Sequence, residues 1–366
     1  MAGADDKSFL VLFFEPVRPF LEDEAVSEIL INGPNAIYVE RRGKLEKTDA
    51  KFVSEPALKA AATNVAKSVG RQFNEDNPRL DARLPDGSRV HAVLPPLARG
   101  GTVIAIRKFQ KEKLTAARLI EFGSLDETGA RIIDTLVKLH RNVIVSGATS
   151  SGKTSVLNVL SGFIPEKERI LVLEDASELQ LQQPHTVYFE TRKPDPNGKG
   201  EVTIRDLLHS TLRLRPDRLV VGEIRGGEAL DLLQALNTGH AGSMSTIHAN
   251  SPRDCLLRIE TCALLSGIDI PLSALRAQVS SAVHVVVHTA RLEDGSRKVM
   301  QIAEVLELQD GQYRTRDLYG FRRTGITADG KVQGRFAGGG TPPTFLEDAR
   351  LVGLPLDPAW FAAPAG

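Results

Sequence analysis

Asn142-Val143-Ile144-Val145-Ser146-Gly147-Ala148-Thr149-Ser150-Ser151-Gly152-Lys153-Thr154 decides the fold. The stretch begins as an apolar run that reads as a buried strand, passes through a glycine-bounded turn, and predicts a helix over 153–163. Gly147, four variable residues, then Gly-Lys-Thr is the spacing of a phosphate-binding loop. A strand brings the chain to the loop and a helix leaves with its N-terminus there, so backbone N–H groups and the helix dipole converge on an anion. Gly147, Ala148, Thr149, Ser150, Ser151, Gly152, Lys153, Thr154 and Ser155 are therefore expected to hold the phosphates of a nucleotide. Lys153 would bridge the β- and γ-phosphates and the Thr154 hydroxyl would ligate Mg²⁺.

Outward from this loop, strand and helix alternate. A helix over 126–140 precedes it, and apolar strands are expected at 170–173, 219–221, 243–247 and 283–287. That alternation predicts an α/β domain with a largely parallel sheet, over 126–366. Its end, from about residue 325, is rich in Gly and Pro and reads as an irregular appendix with a short terminal helix. The segment 1–109 reads differently, as a smaller α+β domain. An amphipathic stretch carries Leu21, Val26, Ile29 and Leu30, and Arg41 to Lys44 lies between two strand-like segments. Ser54 caps a helical repeat of Leu58, Ala62, Val65 and Val69, and strands at 80–84, 90–94 and 102–106 follow. Residues 110–125, opening on Gln110-Lys111-Glu112-Lys113, are the linker. Lys193 to Gly200 reads as a surface loop.

Composition narrows the function. The chain has 366 residues, with 46 Lys and Arg balanced by 46 Asp and Glu, and the first 110 residues carry 16 against 15. Neither part is a polycation, which counts against direct tracking along nucleic acid. The apolar run Phe9 to Phe14 is far shorter than the roughly 18 residues of a spanning helix and follows two Asp residues, so no transmembrane segment or secretory signal is expected. Cys255 and Cys262 lie about 10.5 Å apart along a predicted helix, too far to bridge, and read as buried free thiols.

Two apolar strands end in acid. The first runs into Glu174-Asp175 and the second into Glu223. An apolar run ending in Asp would select Asp175 as the Walker B residue. The later strand, followed at once by Arg225-Gly226-Gly227 and a helix, favours Glu223 for that role. The stretch from Thr238 to Asn250 carries no charged residue but two histidines, His240 and His248, suited to contact the γ-phosphate. His284 and His288 flank Val285-Val286-Val287, a strand that would hold them some 13 Å apart, unfit for one metal.

Taken in order, the phosphate loop, Leu173 to Leu179, Arg213 to Arg218 before Val221 to Arg225, and Gly239 to Asn250 resemble the secretion ATPase superfamily, the hexameric motors of type II and type IV secretion and of type IV pili. The resemblance extends upstream to Arg83–Arg89 and Ile106–Phe109, and downstream to Asp294-Gly295 and Ile302–Val305. Within it the chain is most similar to the Tad (tight adherence) pilus branch and its conjugation and type IV secretion relatives. With two cysteines it cannot carry the four-cysteine zinc element of the extension motors. The resemblance implies a RecA-like ATPase domain with an N-terminal PAS-like domain. It implies Glu174 as the base that orients the attacking water, Glu223 as the acid acting on Mg²⁺, and His248 and His240 as γ-phosphate sensors. Arg213, Arg83, Arg89 and Arg107 become candidates for charge-stabilising arginines at a subunit or domain boundary. It further implies a cytoplasmic homo-hexamer at the inner face of the bacterial inner membrane, working on a platform protein, with no direct nucleic-acid contact. The output would be pilus assembly or protein secretion. The rival readings are an ATPase of a conjugative type IV secretion system and a RecA-like nucleic-acid motor.

Overall fold

The computed structural model describes residues 13–41, 43–84, 86–109, 114–194, 198–354 and 356–363. The connector Gln110–Lys113, the middle of the Lys193–Gly200 loop, Arg42 of the Arg41–Lys44 segment and the start of the apolar run at 9–12 lie outside the described residues. The chain divides into two compact units, Met1–Lys113 and Leu114–Gly366. No helix among the described residues is long and apolar enough to cross a membrane.

The first unit is an antiparallel sheet of six strands: β1 (Val26–Asn32), β2 (Ile37–Arg41), β3 (Lys44–Lys47), β4 (Arg79–Arg83), β5 (Arg89–Val93) and β6 (Val103–Arg107), in the order β3-β2-β1-β6-β5-β4. A short helix, α1 (Arg18–Glu22), precedes β1, and a longer one, α2 (Glu55–Ser68), follows β3. The Ser54 hydroxyl accepts from the Ala57 N–H at 3.3 Å and caps α2, whose Leu58, Ala62 and Val65 join Ile29, Ile31, Val90 and Ile104 in one core. The second half of the amphipathic stretch Leu21–Leu30 is strand, and its first two residues close a short helix. A bulge between Val26 and Glu28 inserts one residue, so Val26 and Ile29 both face the core at a spacing of three that imitates a helical period.

The second unit opens with α3 (Ala116–Glu121), a helix inside the segment expected to be linker; its Leu119 is buried in this unit's core. Next come α4 (Glu127–Lys138), β7 (Val143–Gly147), α5 (Lys153–Ser161), β8 (Ile170–Glu174), β9 (Thr186–Glu190), α6 (Ile204–Thr211), β10 (Arg218–Ile224) and α7 (Glu228–Asn237). The order continues with β11 (Met244–His248), α8 (Pro252–Leu264), α9 (Leu272–Ala282), β12 (Val285–Arg291), β13 (Arg297–Gln309), β14 (Gln312–Ile326), β15 (Val332–Gly338) and α10 (Leu346–Leu351). The sheet runs β15-β14-β13-β12-β7-β11-β10-β8-β9, parallel from β12 to β9 and antiparallel beyond β12.

Both faces of the parallel part are covered, which is why its strands are apolar without alternation. Val143, Val145, Val172 and Val220 pack with Ile132, Leu136 and Leu157 on one side. Ile144, Leu171, Leu173 and Val221 pack with residues of α6 to α9 on the other. This is a RecA-like P-loop domain. The segment beyond residue 325 is not the irregular appendix expected. Its Val332–Gly338 pairs with β14 as the last strand of the sheet, and Phe336 lies edge-on to Phe321 at 5.4 Å. Glycines there lower strand propensity, but cross-strand aromatic packing outweighs them.

Candidate functional site

In a parallel sheet the carboxyl ends of the strands share one edge, where ligands bind. That edge collects the ends of β7, β8, β10 and β11, and with them the phosphate loop, Glu174, Glu223 and His248. β11 pairs with β7 so that His248 stands opposite Gly147, the first residue of the loop.

The Lys153 ammonium donates to the Ala148 carbonyl at 3.0 Å and to His248 Nδ1 at 3.3 Å. An ammonium has no acceptor, so Nδ1 must offer its lone pair and the imidazole proton sits on Nε2. Nε2 lies 2.7 Å from Glu223 Oε1, which accepts it. Partial burial holds the His248 pKa below the usual imidazole value, and Lys153 adds to this, so the ring is neutral at pH 7 despite the carboxylate beside it. Glu223 Oε2 in turn accepts from Arg225 Nε at 2.7 Å, and Arg225 reaches Asp175 at 3.2 Å. A continuous polar chain thus joins the loop lysine to Glu223 and Asp175.

Glu174 lies next to this chain but is not a member of it. Its carboxyl accepts from the N–H groups of Glu178 and Leu179, each at 2.9 Å, and it is buried. Burial raises its pKa to about 7 against the pull of the two amides, and the negative charges of Glu178 and Glu190 add to the rise. It packs closely on β10 at Gly222, where a Cβ would stand 3.1 Å from Glu174 Cγ.

Within the loop, Ala148, Thr149 and Ser150 are exposed, Ser151 and Lys153 are buried, and Gly152, Thr154 and Ser155 are half-buried. His240 and Arg213 stand elsewhere. His240 precedes β11 and Arg213 precedes β10, at the amino edge of the same sheet, a full strand length from the phosphate loop. His240 Nδ1 lies 3.3 Å from the Ala235 carbonyl, and Arg213 is exposed. His284 Nδ1 accepts from the Asn142 N–H at 2.9 Å, and His288 Nδ1 is 3.0 Å from Ser146 Oγ, so the two rings serve different partners.

In the first unit, Arg83 is paired directly with Arg89, Arg89 with Arg107, Arg107 with Glu28, and Glu28 with Glu40. Directly paired residues share a face. One row across five strands therefore carries two carboxylates and then three arginines.

Sequence reasoning missed Arg225 as the link between Glu223 and Asp175. It also missed Thr289 and Arg297, which touch the phosphate loop from far along the chain: Thr289 Oγ1 is 2.9 Å from Ser151 Oγ, and Arg297 Nε donates to the Ser150 carbonyl at 2.9 Å.

A family model described as "Type II/IV secretion system protein" matches residues 13–327. The chain belongs to that family. It is an ATPase of the type II and type IV secretion class. A putative conjugal transfer protein of Mycobacterium tuberculosis is 36% identical over 302 residues, 81% of this chain and 85% of that protein. The type IV secretion system protein PtlH of Bordetella pertussis is 32% identical over 82% of this chain and 96% of its own length. Among solved structures, the ATPase DotB of Legionella pneumophila superposes with a TM-score of 0.55 at 17% identity, covering 84% of this chain and 79% of DotB. The pilus retraction motor PilT with bound ADP gives 0.53 at 18%, covering 94% and 86%. These two likenesses concern the fold.

Proposed function

We propose that the chain is a cytoplasmic homohexameric motor at the inner face of the bacterial inner membrane, coupling ATP hydrolysis to a type IV secretion or pilus-assembly machine through a platform protein. The observation that carries this reading is the chain Lys153–His248–Glu223 at the phosphate loop, with the buried carboxyl of Glu174 beside it.

Each residue has a role that its surroundings suit. The loop amides and Lys153 bind the β- and γ-phosphates, and arrival of the γ-phosphate competes for the Lys153 ammonium that His248 now holds. His248 thereby reports nucleotide occupancy to Glu223. Glu174, with a pKa near the working pH, takes part as the base that orients water for in-line attack, since a base is most effective there. Its carboxyl is fixed by two amides, so positioning is built in before substrate arrives. Thr154 and Glu223 would hold Mg²⁺. Both donors are oxygens, few in number, and Glu223 is already engaged by Arg225, which suits a cation that keeps waters and takes its remaining ligands from phosphates. When bound, the ion would neutralise charge developing on the phosphate oxygens.

The arginine row supports Arg83, Arg89 and Arg107 as charge-stabilising groups. Like charges paired directly across strands oppose folding, so a row of three arginines is not there for the stability of the sheet. Arg213, exposed at the other edge of its own sheet, is suited to act only on a neighbouring subunit.

Identities of 32 and 36% to type IV secretion and conjugal transfer proteins weigh toward export or conjugation. The motif series keeps Tad-type pilus assembly as the second destination. The even charge of both parts speaks against a nucleic-acid motor. Phosphate release and light scattering test this reading together. We expect ATP turnover unaffected by DNA, and assembly to six copies with a nonhydrolysable ATP analogue. A protein that stays monomeric at micromolar concentration, or whose turnover rises with DNA, would contradict it.

A further inference from the structure

The phosphate loop is held from outside by the β12–β13 hairpin. β12 and β13 are joined by a turn in which Asp294 accepts from the Ser296 N–H and the Val332 N–H, each at 2.9 Å, so the turn is fixed both to itself and to β15. Two side chains of this hairpin meet the loop. Thr289, 2% exposed, bonds Ser151 Oγ and also donates to the Ser146 carbonyl at 3.2 Å. Contact with β12 is so close that a Cβ at Gly147 would fall 2.4 Å from the Thr289 carbonyl. A bulge in the β12–β13 pairing lies between His288 and Thr289. Bulges re-aim side chains beside sites. Arg297, at the start of β13, donates to the carbonyl of Ser150, a non-glycine residue at φ 61°. Such a conformation persists only where its surroundings impose it.

A peptide's carbonyl and the following N–H point in opposite directions. Anchoring the Ser150 carbonyl to Arg297 therefore fixes the Ser150–Ser151 peptide, whose N–H donates to the Ala148 carbonyl at 3.3 Å and closes the turn of the loop. We propose that Arg297 and Thr289 are positioning residues that keep the phosphate loop in its anion-binding conformation, so that the β12–β13 hairpin sets nucleotide affinity. This rests on the reading of the loop as an ATP site. The loop grips the phosphates in the ground state and the transition state alike, so loss of the clamp raises KM and leaves kcat nearly unchanged.

The test is titration of full-length variants with ATP carrying an N-methylanthraniloyl label, beside steady-state turnover and thermal unfolding. Arg297→Ala is expected to weaken binding about ten- to a hundredfold, the range for losing a charge-assisted hydrogen bond, with kcat within about threefold. Arg297→Gln, which keeps an N–H donor without the charge, should recover most of the affinity. Thr289→Ser should bind within about twofold of the unaltered chain and Thr289→Val several-fold more weakly. Undiminished binding by Arg297→Ala, or recovery by Arg297→Lys alone, would overturn the clamp; the latter would leave only long-range attraction. Should the Ala variant melt early, the Gln and Lys pair decides. Absence of saturable binding by the unaltered protein would instead overturn the ATP reading beneath it.

Discussion

The two edges of the parallel sheet carry the same trio of side chains put to opposite uses. At the amino edge, Arg218 bonds Glu168, and His140 stands 3.4 Å from the same carboxylate. At the carboxyl edge, Arg225 bonds Glu223, and His248 stands 2.7 Å from it. Burial separates them. The Arg218 side chain is 0% exposed and also donates to the carbonyls of Gly242 at 2.9 Å and Val137 at 3.0 Å, so each of its three nitrogens is engaged. The Arg225 side chain is 61% exposed and reaches only carboxylates. A buried, saturated cluster has no ligand to await and fastens α4, β10 and the turn before β11. A half-exposed chain that includes the phosphate-loop lysine can be broken and remade by a nucleotide. A cavity of about 470 Å³ opens at the amino edge, beside His140 and Glu168. Concavity alone therefore does not locate the chemistry.

The comparison can be broken at either edge. Lys153→Ala should lower turnover by on the order of 10²–10³ or more, the scale for losing a preorganised electrostatic group, while unfolding free energy shifts by less than about 1 kcal/mol. Steady-state phosphate release and urea unfolding of the same preparation check both halves. Arg218→Ala should do the reverse. Stranding Glu168 is expected to cost about 3–5 kcal/mol of stability, read by urea unfolding, while the folded fraction binds ATP as before. Unchanged stability would mean that the amino-edge cluster fastens nothing.

A smaller effect follows from Glu174. Its pKa in the folded protein, about 7, lies above the ordinary value of 4.5. The folded state thus binds the proton more tightly. Its contribution is whole below pH 4.5 and is lost as pH rises through 7, a difference on the order of 3 kcal/mol. Urea unfolding of the unaltered chain and of Glu174→Gln at pH 5 and pH 8 should show the unaltered chain losing ground to the variant on going to pH 8. Parallel behaviour would mean that Glu174 ionises as an exposed carboxyl does. Smallest of all, His240→Ala should leave turnover within about twofold, whereas His248→Ala should lower it at least tenfold in the same assay. Equal losses would return His240 to the site.

Much of this was legible because it is local. The phosphate loop announces itself by a strand, a glycine-bounded turn and a helix within a dozen residues, and Glu174 and Glu223 stand out as acids that end apolar runs. What was not legible depends on pairing across distance. Thr289 and Arg297 reach the loop from well over a hundred residues away and belong to no short pattern. Arg218 ends a charged stretch, Arg213 to Arg218, and is its only buried residue, because its strand begins there. The two histidines after Thr238 look alike in sequence. They are divided by β11, whose length puts one at each edge. The last strand hides behind glycines that its aromatic neighbours outweigh.

The most direct test of the account is Glu174→Gln, with ATP binding and ATP turnover measured on one preparation. The substitution keeps the size of the side chain and an oxygen to accept from the Glu178 and Leu179 amides, and it removes the base. Binding within a few-fold of the unaltered chain, with turnover lowered about 10²–10⁴-fold, is the predicted result. Turnover at the unaltered rate would contradict it and return the role of base to Asp175 or Glu178.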